Sequence, residues 1–169
     1  MKAQTLALLV CSILVCLCAN FAGAQTKTIV LIRHAEKDTT ITDDPDPDLS
    51  QAGRERAVRL EAAVRRFRPY VFYATATARA RRTIEPIAAR RNKGIQTYDA
   101  TQHSELVEKI VASKRRHFLV AGHSNTIPFL ANLLANKEIF RQLPDAEYGV
   151  IYVVKLKKGV FQKLEILAY

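Results

Sequence analysis

Two short stretches decide the fold of this 169-residue chain: Leu31-Ile32-Arg33-His34-Ala35-Glu36 and Val120-Ala121-Gly122-His123-Ser124. Each begins as an apolar run typical of a buried strand and reaches a histidine where the run stops. The chain has four histidines, so two of them in equivalent positions are informative. Ligands of open α/β sheets bind outside the carboxyl ends of the strands. Two imidazoles and an arginine at such an edge indicate chemistry on an anion, and a phosphate fits best.

The first 24 residues have the pattern of a secretory signal peptide. Lys2 precedes an apolar run over residues 6–17, and Ala22-Gly23-Ala24 is a small-residue cleavage pattern, so we expect cleavage after Ala24. An uncleaved anchor is the alternative, because residues 5–24 approach the length of a membrane span. The sequence therefore predicts a signal peptide over residues 1–24, one domain over residues 25–169, and export to the periplasm or the medium.

Cysteine content and charge limit the chemistry of the exported domain. All three cysteines (Cys11, Cys16 and Cys18) lie in the leader, which excludes a disulfide or a thiol nucleophile after export. The formal net charge of +10 favours phosphorylated ligands, nucleic acid or an anionic membrane surface as partners. No motif interleaves aromatic residues with the basic clusters, so nucleic acid is not expected. Peripheral contact with an anionic envelope surface stays open.

Apolar strands alternate with helical repeats along the rest of the chain. Strands are predicted at residues 28–32, 70–74, 95–98 and 117–121, with helices after Ser50, over 78–91, around 106–111 and over 127–134. We expect Pro69 to end the first helix and Pro86 to bend or loosen the second. Strands over 150–156 and 160–167 form a hairpin. This order predicts a three-layer α/β/α sandwich with a mostly parallel sheet and a C-terminal antiparallel hairpin.

Three segments supply residues suited to phosphoryl transfer without a metal or other cofactor. A neutral imidazole at His34 is a competent nucleophile toward phosphorus, and the adjacent Arg33 can neutralise phosphate oxygens. His123 can donate to a phosphate oxygen beside the first-turn amides of the helix that Ser124-Asn125-Thr126 opens. Arg79, at the start of the second helix, is the natural second guanidinium.

Together these pieces resemble the histidine phosphatase superfamily, which contains cofactor-dependent phosphoglycerate mutases and histidine acid phosphatases. The resemblance covers nearly all of residues 27–155 and looks like a small exported bacterial branch. Four motifs carry it in the family's order: Arg33-His34-Ala35-Glu36; Leu49-Ser50-Gln51-Ala52-Gly53 with Arg56-Ala57; Thr75 with Arg79-Ala80 and Thr83; and Gly122-His123-Ser124.

The resemblance implies a phosphatase that hydrolyses phosphate monoesters or related small phosphorylated compounds. His34 would be the nucleophile and would form a phosphohistidine that water then hydrolyses. Arg33, Arg79 and His123 would hold the phosphoryl oxygens, with Glu36 and Asn125 as candidates for further substrate contacts. The chain lacks the long insertions of the mutases, so hydrolysis is expected rather than mutase activity.

The proton donor to the leaving group is the point where the chain departs from the family. Ser124 follows His123, so the His-Asp pair of histidine acid phosphatases is absent. Asp99 and Glu105 are candidate general acids after the third strand, although either fits a solvated carboxylate equally well. Without a strong acid, good leaving groups such as acyl phosphates would be favoured. The alternative function is a catalytically weak protein of the cell envelope that binds phosphate or polyanions.

Overall fold

The computed structural model describes residues 26–169. The predicted signal peptide over residues 1–24, with its three cysteines, lies outside the described residues. Among residues 26–169, no helix combines the length and the apolar character needed to cross a membrane.

Six strands form one mixed sheet. They are β1 (Thr26–Arg33), β2 (Val71–Ala74), β3 (Ile95–Thr97), β4 (His117–Gly122), β5 (Val150–Lys157) and β6 (Val160–Ala168), in the spatial order β3-β2-β4-β1-β5-β6. The first four strands pair in parallel, whereas β5 runs antiparallel to both β1 and β6. The predicted sheet, mostly parallel with a C-terminal antiparallel hairpin, is confirmed.

Four helices cover the two faces of the sheet: α1 (Gln51–Val64), α2 (Ala78–Arg90), α3 (His103–Ala112) and α4 (Thr126–Ala135). Strand β1 shows why both faces of the sheet are covered, because its successive residues point to opposite sides and those from Thr28 to Arg33 are all buried. Ile29 and Leu31 join the core under α3 and α4, and Val30 and Ile32 join the core under α1 and α2. The three-layer architecture predicted from the sequence is therefore correct.

The start of α1 is fixed against the chain that leaves β1. Ser50 caps the helix by accepting a hydrogen bond from the Gly53 amide at 3.1 Å, and its own amide donates to the Glu36 carbonyl at 2.9 Å. A Cβ atom at Gly53 would collide with that same carbonyl oxygen. The glycine of the Leu-Ser-x-x-Gly motif is thus needed for close approach of helix and backbone.

One detail differs from the prediction, and the helix that contains Pro86 is continuous. Helix α1 ends at Val64 rather than at Pro69, because a 3-10 turn over Arg65–Phe67 follows and Arg68 adopts a left-handed conformation. Pro86 lies inside α2 without interrupting it. Proline removes one helical hydrogen bond, but Ile84 and Ile87 on the same turn are fully buried against the sheet, and this packing holds the helix together.

The register of the parallel strands determines where the site forms. Arg33 pairs with Gly122 across β1 and β4, and Ala74 pairs with Ala121 across β2 and β4. The residues that follow the three strands therefore emerge side by side at one edge of the sheet. His34 and His123, separated by 89 positions in the sequence, become neighbours for this reason.

Candidate active site

A pocket of about 440 Å³ opens at the carboxyl ends of the parallel strands. Its walls come from the ends of β1 and β4, the start of α2, the turn before α4 and the loop before β5. The lining residues are Arg33, His34, Lys37, Arg79, His123, Ser124, Asn125, Asp145 and Tyr148. The structure thus brings together the four side chains predicted to be catalytic (Arg33, His34, Arg79 and His123), with Asn125 beside them.

His34 is buried at the base of the pocket with a defined tautomer. Its Nδ1 lies 2.7 Å from the Ala35 carbonyl oxygen, which can only accept, so Nδ1 carries the proton and Nε2 keeps a free lone pair. Burial, helped by the positive charge of His123, Arg79 and Arg33 and opposed by the hydrogen bond to Ala35, lowers the pKa of His34 to about 4. The imidazole is therefore neutral and nucleophilic at neutral pH.

Helix α2 helps to hold the backbone around His34. The amide of Ala35 donates to the Thr83 hydroxyl at 2.8 Å, and that hydroxyl donates to the Arg79 carbonyl at 2.7 Å. The amide of His34 donates to the Gly122 carbonyl at 2.8 Å. The Arg-Ala-x-x-Thr segment therefore supplies both a cation for the pocket and the hydroxyl that fixes the segment after β1.

His123 lies beside His34, with the ring centroids 5.3 Å apart in an edge-to-face arrangement. Its Nε2 is 3.0 Å from the Thr75 hydroxyl, and its amide donates to the Thr126 hydroxyl at 2.8 Å. Burial lowers the pKa of His123 to about 4, and Arg79 and Arg33 lower it further. A phosphoryl group on Nε2 of His34 would therefore have a second, positioned imidazole next to it.

Arg33 binds the loop over residues 136–149 as well as facing the pocket. Its Nη1 donates to the carbonyl oxygens of Pro144, Asp145 and Glu147 at 2.8, 3.0 and 2.9 Å. The guanidinium also stacks on Tyr148, 4.1 Å from the ring centroid. Its buried Nε atom has no hydrogen-bond partner within residues 26–169, so that donor remains available to an anion.

Arg79 is held at the pocket by its own helix and by Asp46. The Asp46 carboxylate accepts the Ala78 amide at 3.0 Å with each oxygen and lies 3.5 Å from Nη1 of Arg79. An acidic side chain at a helix N-terminus is favourable for the helix dipole. The loop after β1 therefore caps α2 and partly balances the charge of Arg79.

Three residues proposed from the sequence do not line the pocket. The Glu36 carboxylate accepts two hydrogen bonds from Nε of Arg56, both 2.9 Å, and this partner lowers its pKa. Asp99 accepts from the amide and hydroxyl of Thr101, and Glu105 pairs with Lys109 one helical turn away at 2.8 Å. Its contact with Arg56 favours a role for Glu36 in positioning α1. The contacts of Asp99 and Glu105 favour local roles in a loop and in a helix.

Sequence reasoning missed Lys37, Asp145 and Tyr148. Lys37 had a signal, since it directly follows the first motif. Asp145 and Tyr148 belong to a loop with no periodicity and no motif, and they reach the pocket only through its contacts with Arg33. Within the described part of the chain, no three His, Cys, Asp or Glu side chains cluster as a metal site would require.

The fold and the pocket define an α/β protein whose strand-end pocket is lined by two histidines and two arginines. The model of the histidine phosphatase superfamily (branch 1) matches residues 29–108, which include Arg33, His34 and Arg79. This part of the chain is therefore similar to that superfamily. No curated protein is similar to it in sequence at a significant level.

Solved structures share the fold at low sequence identity. The protein histidine phosphatase SixA complexed with tungstate aligns with a TM-score of 0.67 and 14% identity over 83% of this chain and 96% of its own. A candidate phosphohistidine phosphatase SixA from Agrobacterium tumefaciens aligns with a TM-score of 0.64 and 20% identity over 85% of this chain and 98% of its own. The mycobacterial glucosyl-3-phosphoglycerate phosphatase in complex with inorganic phosphate aligns with a TM-score of 0.62 and 14% identity over 85% of this chain and 96% of its own.

Proposed function

We propose that this protein is a metal-independent phosphatase that hydrolyses phosphate monoesters or related phosphoryl compounds through a phosphohistidine on His34. The observation that carries the proposal is the state of His34: it is neutral, its Nδ1 proton is held by Ala35, and its Nε2 lone pair lies in a pocket lined by cations. The SixA and glucosyl-3-phosphoglycerate phosphatases that share the fold support a phosphorylated substrate of small size or on a protein.

The reaction would proceed in two displacements at phosphorus. Nε2 of His34 attacks the phosphorus, and the bond to the leaving oxygen breaks as the phosphohistidine forms. Arg33 and Arg79 bind the equatorial oxygens, where negative charge is concentrated, and His123 donates to one of them. Water then attacks the phosphohistidine, which releases inorganic phosphate and returns His34 to its starting state.

We also propose that the protein acts outside the cytoplasm, as a small exported bacterial branch of the superfamily. The support is the charge, apolar run and cleavage pattern of residues 1–24. Periplasmic extract containing a chain that begins at Gln25 would agree with this proposal. A chain that keeps Met1–Ala24 in the membrane fraction would contradict it.

Trapping the intermediate tests the catalytic proposal directly. Labelled acetyl phosphate is mixed with the protein and quenched in alkali, where phosphohistidine is stable and acyl phosphates are not. We expect label on the wild-type protein and none on His34→Ala. His103→Gln is the matched control, because His103 stacks on Phe129 and does not line the pocket, so this variant should keep the label.

The same experiment separates the phosphatase from the alternative of a phosphate-binding protein. Calorimetric binding of phosphate by wild-type protein, with neither label nor turnover on a panel of phosphate esters and acyl phosphates, would favour the binding protein. Turnover that His34→Ala leaves unchanged would refute the role of His34.

A further inference from the structure

The loop over residues 136–149 is seated over the pocket by contacts from both histidine segments. Arg33 binds three of its carbonyl oxygens, as described above, and the Leu143 amide donates to the Ser124 carbonyl at 3.0 Å. Two of the loop's side chains, Asp145 and Tyr148, line the pocket as a result. A loop tied to both catalytic segments is a suitable carrier for a reacting group.

Asp145 is the one carboxylate among the pocket-lining side chains, within the residues the structure describes. Its side chain has no ion pair and no hydrogen bond among residues 26–169, unlike the other nearby candidates. Those candidates have partners: Glu36 with Arg56, Asp46 with Ala78 and Arg79, Asp99 with Thr101, and Glu105 with Lys109. A group that transfers a proton must reach the site of reaction and be free of competing partners, and Asp145 lines the pocket without such a partner among residues 26–169.

We infer that Asp145 is the proton donor to the leaving group, which fills the gap that the motifs leave. This inference rests on the proposed function and adds a catalytic residue to it. The carboxylate produced by the transfer then remains close to the water that attacks the phosphohistidine.

The proton balance follows from these two roles. As Nε2 of His34 forms its bond to phosphorus, the bond to the leaving oxygen breaks and the Asp145 carboxyl gives that oxygen its proton. In the second displacement the Asp145 carboxylate accepts a proton from the attacking water, whose oxygen forms the new bond to phosphorus. The bond between phosphorus and Nε2 breaks, inorganic phosphate leaves, and both His34 and Asp145 regain their starting forms.

Arg33 links phosphate binding to the position of this donor. One nitrogen, Nη1, is fully engaged by the loop carbonyls, and the buried Nε atom is left for the phosphate. The same guanidinium therefore sets the position of the Asp145 backbone relative to the phosphoryl oxygens.

A comparison of leaving groups tests the role of Asp145. Glycerol phosphate loses an alkoxide and needs a proton, whereas acetyl phosphate loses acetate, which needs none. In single-turnover measurements of the first step, we expect Asp145→Asn to slow phosphorylation of His34 by glycerol phosphate by roughly 100-fold or more, the usual contribution of a general acid, and phosphorylation by acetyl phosphate by less than about threefold. A change in the position of the loop alone would slow both substrates alike.

Glu147→Gln is the matched control for this variant. Its backbone carbonyl also accepts from Arg33, but its side chain does not line the pocket, so both rates should stay within about twofold of wild type. Circular dichroism and unfolding curves show whether both variants fold.

Each outcome bears on one of the two proposals. Equal loss on both substrates, no loss on either, or a wild-type protein that hydrolyses acetyl phosphate but not glycerol phosphate would overturn the role of Asp145 and leave the phosphohistidine mechanism intact. Failure of wild-type protein to form a phosphohistidine from acetyl phosphate would overturn the proposed function, and the inference with it.

Discussion

Lowering the pH tests most directly how the pocket keeps the His34 imidazole neutral. Burial comes first among the causes that lower its pKa to about 4, and the charges of His123, Arg79 and Arg33 act in the same direction. The hydrogen bond to the Ala35 carbonyl acts against them, because it favours the protonated ring. The net direction is downward, so the nucleophile should keep its lone pair in mildly acidic solution.

The size of the effect follows from the two pKa values. At pH 5.5 an imidazole with a pKa of about 4 is roughly 97% neutral, whereas an ordinary histidine with a pKa of about 6.5 is roughly 9% neutral. The pocket therefore gives about a tenfold larger fraction of reactive His34 at this pH than exposure to solvent would. Below pH 4 most of the His34 imidazole is itself protonated, so the reactive form becomes the minor one.

Nuclear magnetic resonance titration of the imidazole signals measures this shift in the absence of substrate. The chain has four histidines, and the His34 signal is the one that His34→Gln removes. We expect its midpoint near pH 4 in the folded protein and near pH 6.5 in urea. A midpoint near 6.5 in the folded protein would refute the argument that burial keeps this nucleophile neutral.

Three further predictions concern the parts of the structure that support the pocket. Gly53→Ala should lower the free energy of unfolding by about 1–3 kcal/mol in urea melts, because its methyl group collides with the Glu36 carbonyl, and an unchanged midpoint would contradict this. Arg33→Lys should slow turnover at least about tenfold and speed amide exchange over residues 143–148, since an ammonium cannot reproduce a guanidinium that is both hydrogen-bonded and stacked. His34→Gln should remove an acid-dependent loss of stability. Between pH 6.5 and 4 the unfolded wild-type chain binds more protons at His34 than the folded protein does, so the free energy of unfolding of wild type falls by about 3 kcal/mol as the pH is lowered across that window. Equal pH slopes of the free energy of unfolding for the two proteins would rule this out.

The strands and the convergence of the histidines could be predicted because local pattern and sheet geometry act together. Residues 28–32 and 117–121 are apolar enough to be buried on both faces, which requires neighbouring parallel strands. Once they are parallel, the groups after their carboxyl ends must meet. The Ser50 cap and the hairpin also follow from short-range chemistry, since both depend on residues close in sequence.

Other features depend on contacts between distant residues and leave no local pattern. Nothing in residues 136–149 shows that Arg33 will bind their carbonyl oxygens, because any residue type provides a carbonyl. Asp99 and Glu105 could not be told from solvated carboxylates, and the structure places both outside the pocket lining. The predicted end of α1 is wrong because the left-handed conformation of Arg68 is not indicated by its residue type.

The position of Arg33 explains why the site needs so few motif residues. An arginine that only bound phosphate would leave the carbonyl oxygens of Pro144, Asp145 and Glu147 without this partner. Because one nitrogen of the guanidinium holds three loop carbonyls, the loop closes the pocket and brings Tyr148 and Asp145 to it. The three contacts with carbonyl oxygens use only the backbone of the loop, so the side chain of Asp145 can vary without removing them. We therefore expect the two histidines and Arg33 to set the chemistry, and the residues around Asp145 and Tyr148 to select the leaving group.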